Sequence, residues 1–198
     1  MSVAPSRRHW TAEQYLRIER ESDLKHDLIN GVLYAMSGGS VAHAQLTARV
    51  TSLIGRQLQG SPCDAFSSDL RVKVEATGTY TYPDLSVVCG KAEVEDDRGD
   101  TLLNPTALVE VLSPSTEAHD RGAKFEHYRR LGSLRDYVLI SQDRPLVEVF
   151  SRGAEQAWSY TAYEGPEATA QVPAIGCSLE LTALYENVQR ARQEPAIP

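Results

Sequence analysis

No run of about 18 apolar residues occurs in the sequence, so no segment reads as a membrane-crossing helix. Met1 to Trp10 carries basic residues with no apolar stretch behind them and does not read as a secretory leader. Cysteine is scarce. Cys63, Cys89 and Cys177 stand far apart, and an odd count without a close pair argues against a disulfide framework and against a zinc knuckle. The expectation is free thiols in a reducing cytoplasm. There is no nucleophile elbow and no convincing Cys–His pairing, which leaves a serine or cysteine hydrolase without its machinery. Positive charge is short as well: 20 Lys and Arg face 27 Asp and Glu, for a formal net charge of −7. An acidic field repels phosphates, so a nucleic-acid partner would need a local basic patch and cations bound among the acids. Internal repeats and low-complexity stretches are absent too.

What is present suits an ordinary globular domain. With 198 residues, 41% hydrophobic and 24% charged, the chain can bury a core without disulfides or a structural metal. One domain over 10–192 is expected, preceded by a flexible arm at 1–9 and followed by a disordered tail at 193–198. Thr11 and Gln14 fit a capping box that opens a short helix burying Tyr15 and Leu16. Asn30-Gly31 between the apolar runs of 26–36 predicts a hairpin, because both turn positions tolerate positive φ. Leu46, Val50, Leu53, Ile54 and Leu58 recur at helical spacing and predict a helix over 43–59. Strands are predicted over 68–75, 84–89, 107–112, 136–140 and 146–151, with further candidates at 156–163 and 170–175. The stretch 117–131 should be helical, 179–191 should form a closing helix, and the acidic stretch 93–100 should be a solvated loop. The order implies a mixed α/β (α+β) domain, a central mixed sheet flanked by helices.

Two acids stand out. Asp84 follows Pro83 where a strand begins, and Glu110 interrupts the apolar run from Ala107 to Leu112. Acids inside such a run are seldom buried without a partner. A strand, a loop and a neighbouring strand would separate the two, so both carboxylates could converge at one end of a sheet. Buried carboxylates repel each other. A hard divalent cation that keeps several waters resolves the repulsion and lowers the pKa of a bound water. Each acid also has a plain structural reading. Asp84 would accept backbone N–H bonds at a strand start, and Glu110 would face outward from a one-sided strand.

Tyr82-Pro83-Asp84 and the run Val109 to Thr116, followed by Asp120, Lys124 and Tyr128, resemble the Uma-two-type restriction endonuclease family, a bacterial branch of the PD-(D/E)XK nuclease superfamily. The hairpin at 26–36, the Gly-Ser turn before His43 and the strands through Phe150 extend the resemblance over roughly residues 10–185. It implies a restriction-endonuclease-like core and a metal-dependent endonuclease that hydrolyses DNA phosphodiester bonds with a metal-activated water. It also implies Mg²⁺ or Mn²⁺ as cofactor, with Asp84 and Glu110 as metal ligands. The superfamily lysine two positions after the Glu is replaced here by Leu112, and the resemblance puts Lys124 of the next helix in that role. The family's hairpin pattern Glu-Leu-Ile-Asp-Gly-Glu becomes Asp27-Leu28-Ile29-Asn30-Gly31-Val32, which leaves Asp27 as a shortened third ligand. His43, Asp120 and Tyr128 are supporting candidates. Arg129 and Arg130, with Arg71 and Lys73, are candidate phosphate contacts. DNA is the expected partner, no membrane is implied, and a homodimer would match a two-fold duplex. The alternative is an inactive nuclease-fold module that binds nucleic acid or a protein, favoured by the altered hairpin acids and the acidic net charge.

Overall fold

In the computed structural model of the chain, residues 9–36, 38–114 and 116–188 are described. The tail expected at 193–198 lies outside them, as does all of the expected arm except His9. Helix α1 (Ala12–Glu19) begins at the capping box: Gln14 N–H donates to Thr11 Oγ1, and Thr11 N–H donates to Gln14 Oε1, both at 3.2 Å. Its buried face sets Tyr15 against Leu28 and Tyr80. Strands β1 (His26–Ile29) and β2 (Val32–Ala35) pair about Asn30-Gly31, whose φ values of 50° and 73° are those a tight hairpin demands. Helix α2 (Val41–Gln57) is capped by Ser40, which accepts from His43 N–H at 3.1 Å. Leu46, Val50 and Ile54 form its buried face.

The next strands are β3 (Cys63–Ser67), β4 (Arg71–Val74), β5 (Thr79–Thr81), β6 (Leu85–Cys89), β7 (Thr101–Leu102) and β8 (Ala107–Leu112). A helical crossover over 117–128 follows: one turn of α3 (Glu117–His119), a π-helical turn (Asp120–Lys124) and one turn of α4 (Phe125–Tyr128). Then come β9 (Asp136–Ser141), β10 (Leu146–Arg152), β11 (Trp158–Glu164), β12 (Thr169–Val172), β13 (Cys177–Glu180) and α5 (Leu181–Leu184). A five-stranded sheet runs β2-β1-β5-β4-β7, and a six-stranded sheet runs β11-β10-β9-β8-β6-β3. Both are mixed, with β4–β7 and β8–β9 the parallel pairs. Strand β8 is buried on both faces. Ala107, Val109 and Val111 pack into the cluster that includes α2, whereas Leu108 and Leu112 pack with Tyr128, Leu131 and Tyr137. By the period of two, Glu110 shares the second face. No helix among the described residues is long and apolar enough to cross a membrane.

Several expectations need correction. Cys63 and Cys89 form a disulfide, and only Cys177 is a free, buried thiol among the described residues. Their separation in sequence hides a direct cross-strand pairing of β3 with β6, in which Cys63 lies opposite Cys89. The closing helix is instead β13 and the single turn α5, since Cys177 and Leu179 are buried at strand spacing against β12; residues 189–191 of that expectation lie outside the described residues. The strand expected over 68–75 is confined to β4, and β3, β5 and β7, two to five residues long, escaped the pattern. The acidic loop is pinned rather than simply solvated. Glu95 pairs with Lys73 at 2.7 Å, and Asp96 and Asp100 pair with Arg20 at 2.7 and 2.9 Å.

Candidate functional site

The register of β6 on β8 places Leu85 opposite Val109 and Ser86 opposite Leu108. One step further along that antiparallel pair, Asp84 faces Glu110. The Val111 N–H donates to Asp84 Oδ2 at 2.7 Å, which fixes this carboxylate at the sheet end. So the plain structural reading of Asp84 is true and does not exhaust it, because the same carboxylate lines a cavity of about 600 Å³. Glu110, 4% exposed, lines that cavity as well and is not the outward-facing acid of a one-sided strand.

Asp27 arrives from the other sheet. Pairing of β1 with β5 brings it to Tyr82, whose N–H donates to Asp27 Oδ1 at 3.1 Å. Asp120 and Lys124 come from the π-helical turn, a local widening that recurs at functional sites. The Tyr137 hydroxyl donates to the Asp120 carbonyl at 3.0 Å and holds this turn on β9. Arg121 ties the same turn to Glu148 of β10. Lys124 Nζ then sits 3.1 Å from Glu110 Oε1, 3.2 Å from Asp120 Oδ1 and 3.7 Å from Asp27 Oδ2. Tyr128 donates to the same Glu110 oxygen at 3.0 Å. On the other side, His43 Nε2 lies 3.4 Å from Asp84 Oδ2. Gly39 permits this approach, because a Cβ there would meet His43 Nδ1 at 2.8 Å.

The charges do not balance. Asp27, Asp84, Glu110 and Asp120 line one cavity with Lys124 as its single lysine or arginine among the described residues. Burial raises the Glu110 carboxyl well above its ordinary pKa, and Asp120 and Asp84 push it further up against the pull of Lys124. Burial also raises Asp27. For Lys124, burial works downward, but Glu110, Asp27 and Asp120 outweigh it and the ammonium is held well above its usual value. Hydrogen bonding to Asp84 raises His43 despite its burial. A cluster of oxygen donors with surplus negative charge suits a hard cation. Apart from the Lys124 ammonium 3.2 Å away, the buried Asp120 Oδ1 atom has no hydrogen-bond partner among the described residues, which leaves it room for a cation. Among the described residues, no three His, Cys, Asp or Glu side chains already form an ion-holding group. Water would complete the shell, as Mg²⁺ ordinarily requires.

The candidates thus divide. Asp84, Glu110, Lys124, Asp27, His43 and Asp120 line the cavity, with Tyr128 behind Glu110. Arg71 and Lys73 do not reach it. Arg71 is buried and committed to Asp100 at 2.6 Å, and Lys73 is committed to Glu95. Arg129 and Arg130 are exposed on the crossover's end, outside the cavity lining, with Arg129 3.4 Å from Glu126. Tyr34, His119 and Gln142 line the cavity and were not among the candidate site residues from sequence. His119 could have been found as the neighbour of Asp120. Tyr34 and Gln142 carry no local signal, since the hairpin and the end of β9 meet there only in three dimensions.

A family model described as "Putative restriction endonuclease" matches residues 12–183. Two uncharacterized proteins of Synechocystis sp. are similar to the chain. One is 34% identical over 176 residues, 89% of this chain and 91% of the relative. The other is 29% identical over 168 residues, 85% of this chain and 95% of the relative. In fold, the chain is similar to the crystal structure of "a putative nuclease belonging to DUF820" from Anabaena variabilis, with a TM-score of 0.73, 20% identity, and coverage of 88% of this chain and 97% of that one. A match over most of the length, together with the relative at 34% identity, shows that the chain belongs to the Uma2 family of putative restriction endonucleases.

Proposed function

We propose that the protein is a metal-dependent endonuclease that hydrolyses DNA phosphodiester bonds, with Asp84 and Glu110 as its principal metal ligands. One observation carries this reading: four carboxylates and one lysine share a single cavity of about 600 Å³. Mg²⁺ or Mn²⁺ held there would supply charge neutralisation and a bound water of lowered pKa. Asp84 is oriented by the Val111 N–H, which occupies Oδ2, and His43 lies beside that same oxygen. Glu110 is oriented through Oε1 by Lys124 and Tyr128. Asp27 and Asp120 add negative potential and keep Lys124 charged. A charged Lys124 can donate to a phosphate oxygen and stabilise charge that grows on it.

The test is incubation of purified protein with plasmid and single-stranded DNA in Mg²⁺, Mn²⁺ or EDTA, beside Asp84→Ala and Glu110→Ala. Cleavage that needs the metal and disappears in both variants is the expected result. Cleavage that survives both substitutions would overturn the site. A second reading, an inactive nuclease-fold module, draws on the internal pairing of Arg71 and Lys73, which removes two expected phosphate contacts. It predicts no turnover on either DNA, and calorimetry with Mn²⁺ would then show whether the carboxylates bind metal at all.

A further inference from the structure

The cavity lining includes an aromatic pair that the proposed hydrolysis does not use. Tyr34 on β2 lines the cavity yet remains 43% exposed. Its ring centroid lies 5.5 Å from that of His119, with the planes tilted by 41°. His119 Nε2 is buried without a hydrogen-bond partner. Gln142, another lining residue, is 7% exposed, and its Oε1 accepts from Ser40 Oγ at 2.6 Å. Among the described residues, none takes the Gln142 amide N–H groups, so two donors remain for a ligand.

What the lining lacks is equally informative. Among the described residues, Lys124 is its single lysine or arginine, and it is buried among acids. Duplex DNA is gripped mainly through its phosphates, by arrays of Lys and Arg that follow the backbone. A single strand is gripped in large part by stacking bases on aromatic side chains. Depth points the same way. Asp27, Glu110 and Asp120 are 6%, 4% and 2% exposed, so a phosphate has to enter the cavity to reach a cation held among them, which a freely bending strand does more readily than a stiff duplex. The cavity volume falls in the range that holds small ligands.

We infer that the substrate is DNA presented as an unpaired strand, with a base stacked on Tyr34 beside His119 and the adjoining phosphate entering the carboxylate cavity. This rests on the nuclease reading above and names its substrate class. Tyr34 is the specificity-determining residue, and Gln142 donates to the strand from within the cavity.

The experiment measures fluorescence anisotropy of a labelled, unstructured oligodeoxynucleotide and of the duplex made with its complement. Binding is read in Ca²⁺, and cleavage of the same two probes is read in Mn²⁺. The proteins are the wild type, Tyr34→Ala, Tyr34→Phe and Asp84→Ala. The single strand should bind about tenfold tighter than the duplex. Tyr34→Ala should lose about tenfold of that affinity, the scale of one base stack, while Tyr34→Phe keeps it. Equal binding of the two probes, binding of neither, or unchanged affinity in Tyr34→Ala would overturn the inference. If the duplex is nevertheless cut by the wild type and not by Asp84→Ala, the nuclease reading survives that failure. If neither probe is cut while the strand preference and its dependence on Tyr34 persist, the inference about the ligand stands and the nuclease reading falls.

Discussion

Two charge clusters meet at Tyr82, and they are balanced in opposite ways. In the first, Arg71 and Arg20 face Asp100 and Asp96 at 2.6 to 3.0 Å, and Tyr82 donates through its hydroxyl to Glu19. Arg20 holds both aspartates below the usual carboxylate range, with Arg71 adding to the effect on Asp100. In the second, the Tyr82 N–H donates to Asp27, and Glu110, Asp120 and Asp27 compete for Lys124 while Asp84 lies beside His43. Here Asp27 and Glu110 are raised, first by burial. The first cluster spends its charges on each other and ties α1, β4 and the acidic loop together. The second holds surplus negative charge facing a cavity, an arrangement that costs stability and needs a functional reason. Charge and burial occur in both, so it is the imbalance that sets the candidate site apart.

The sharpest way to break this contrast is to remove one charge from each cluster. Asp84→Ala or Glu110→Ala should lower cleavage about a thousandfold or more, read from single-turnover rates. Without metal, Glu110→Gln should melt no lower than the wild type, because Lys124 keeps Asp120 and Asp27 while a like-charge repulsion disappears. A clear fall in melting temperature would make Glu110 a structural member like those of the first cluster. Arg71→Ala should do the reverse. Asp100 is a third exposed, so the cost is set below that of a fully buried pair, at about 2 kcal/mol in urea denaturation, with cleavage by the folded protein little changed.

A pH series sharpens the same comparison. A carboxyl raised in the folded state holds its proton more tightly there, so it subtracts stability above its folded pKa, and the penalty fades as pH falls toward its unfolded value. Asp96 and Asp100 are lowered, so their stabilisation is complete above the unfolded value and is lost as pH falls through the folded one. In EDTA, Glu110→Gln should therefore exceed the wild type in stability near neutral pH, and Arg20→Ala should fall short of it. Both gaps should close as pH falls toward and below about 4. Melting curves across that range would show whether the signs differ. The smallest effect belongs to the surface. Replacing Arg129 and Arg130 together with Ala should weaken DNA binding only a few-fold and reduce the salt slope by about 1 to 2, measured by salt titration.

Much of the framework was legible because its signals are local. Thr11 and Gln14 cap a helix within four residues, Asn30-Gly31 turns a hairpin, and the spacing of Leu46, Val50 and Ile54 writes out α2. Glu110 stood out because an acid sits inside the apolar β8. Arg71 and Lys124 show where legibility ended. Both are cations followed within a few residues by apolar neighbours, yet one is locked to Asp100 and the other faces a cavity. The Cys63–Cys89 pair failed for the same reason, since sequence spacing says nothing of strand order.

By itself, the sequence determined α1, α2, the hairpin, the apolar run of β8 and the acids that could carry chemistry, because each depends on neighbours a few positions away. Tertiary structure alone decided that Asp84 lies opposite Glu110, that Asp27 crosses from a second sheet to Tyr82, and that Tyr34 and Gln142 join the same cavity. Those facts follow from strand register and from the packing of one sheet beside another, in which residues far apart in the chain settle their burial and charge together.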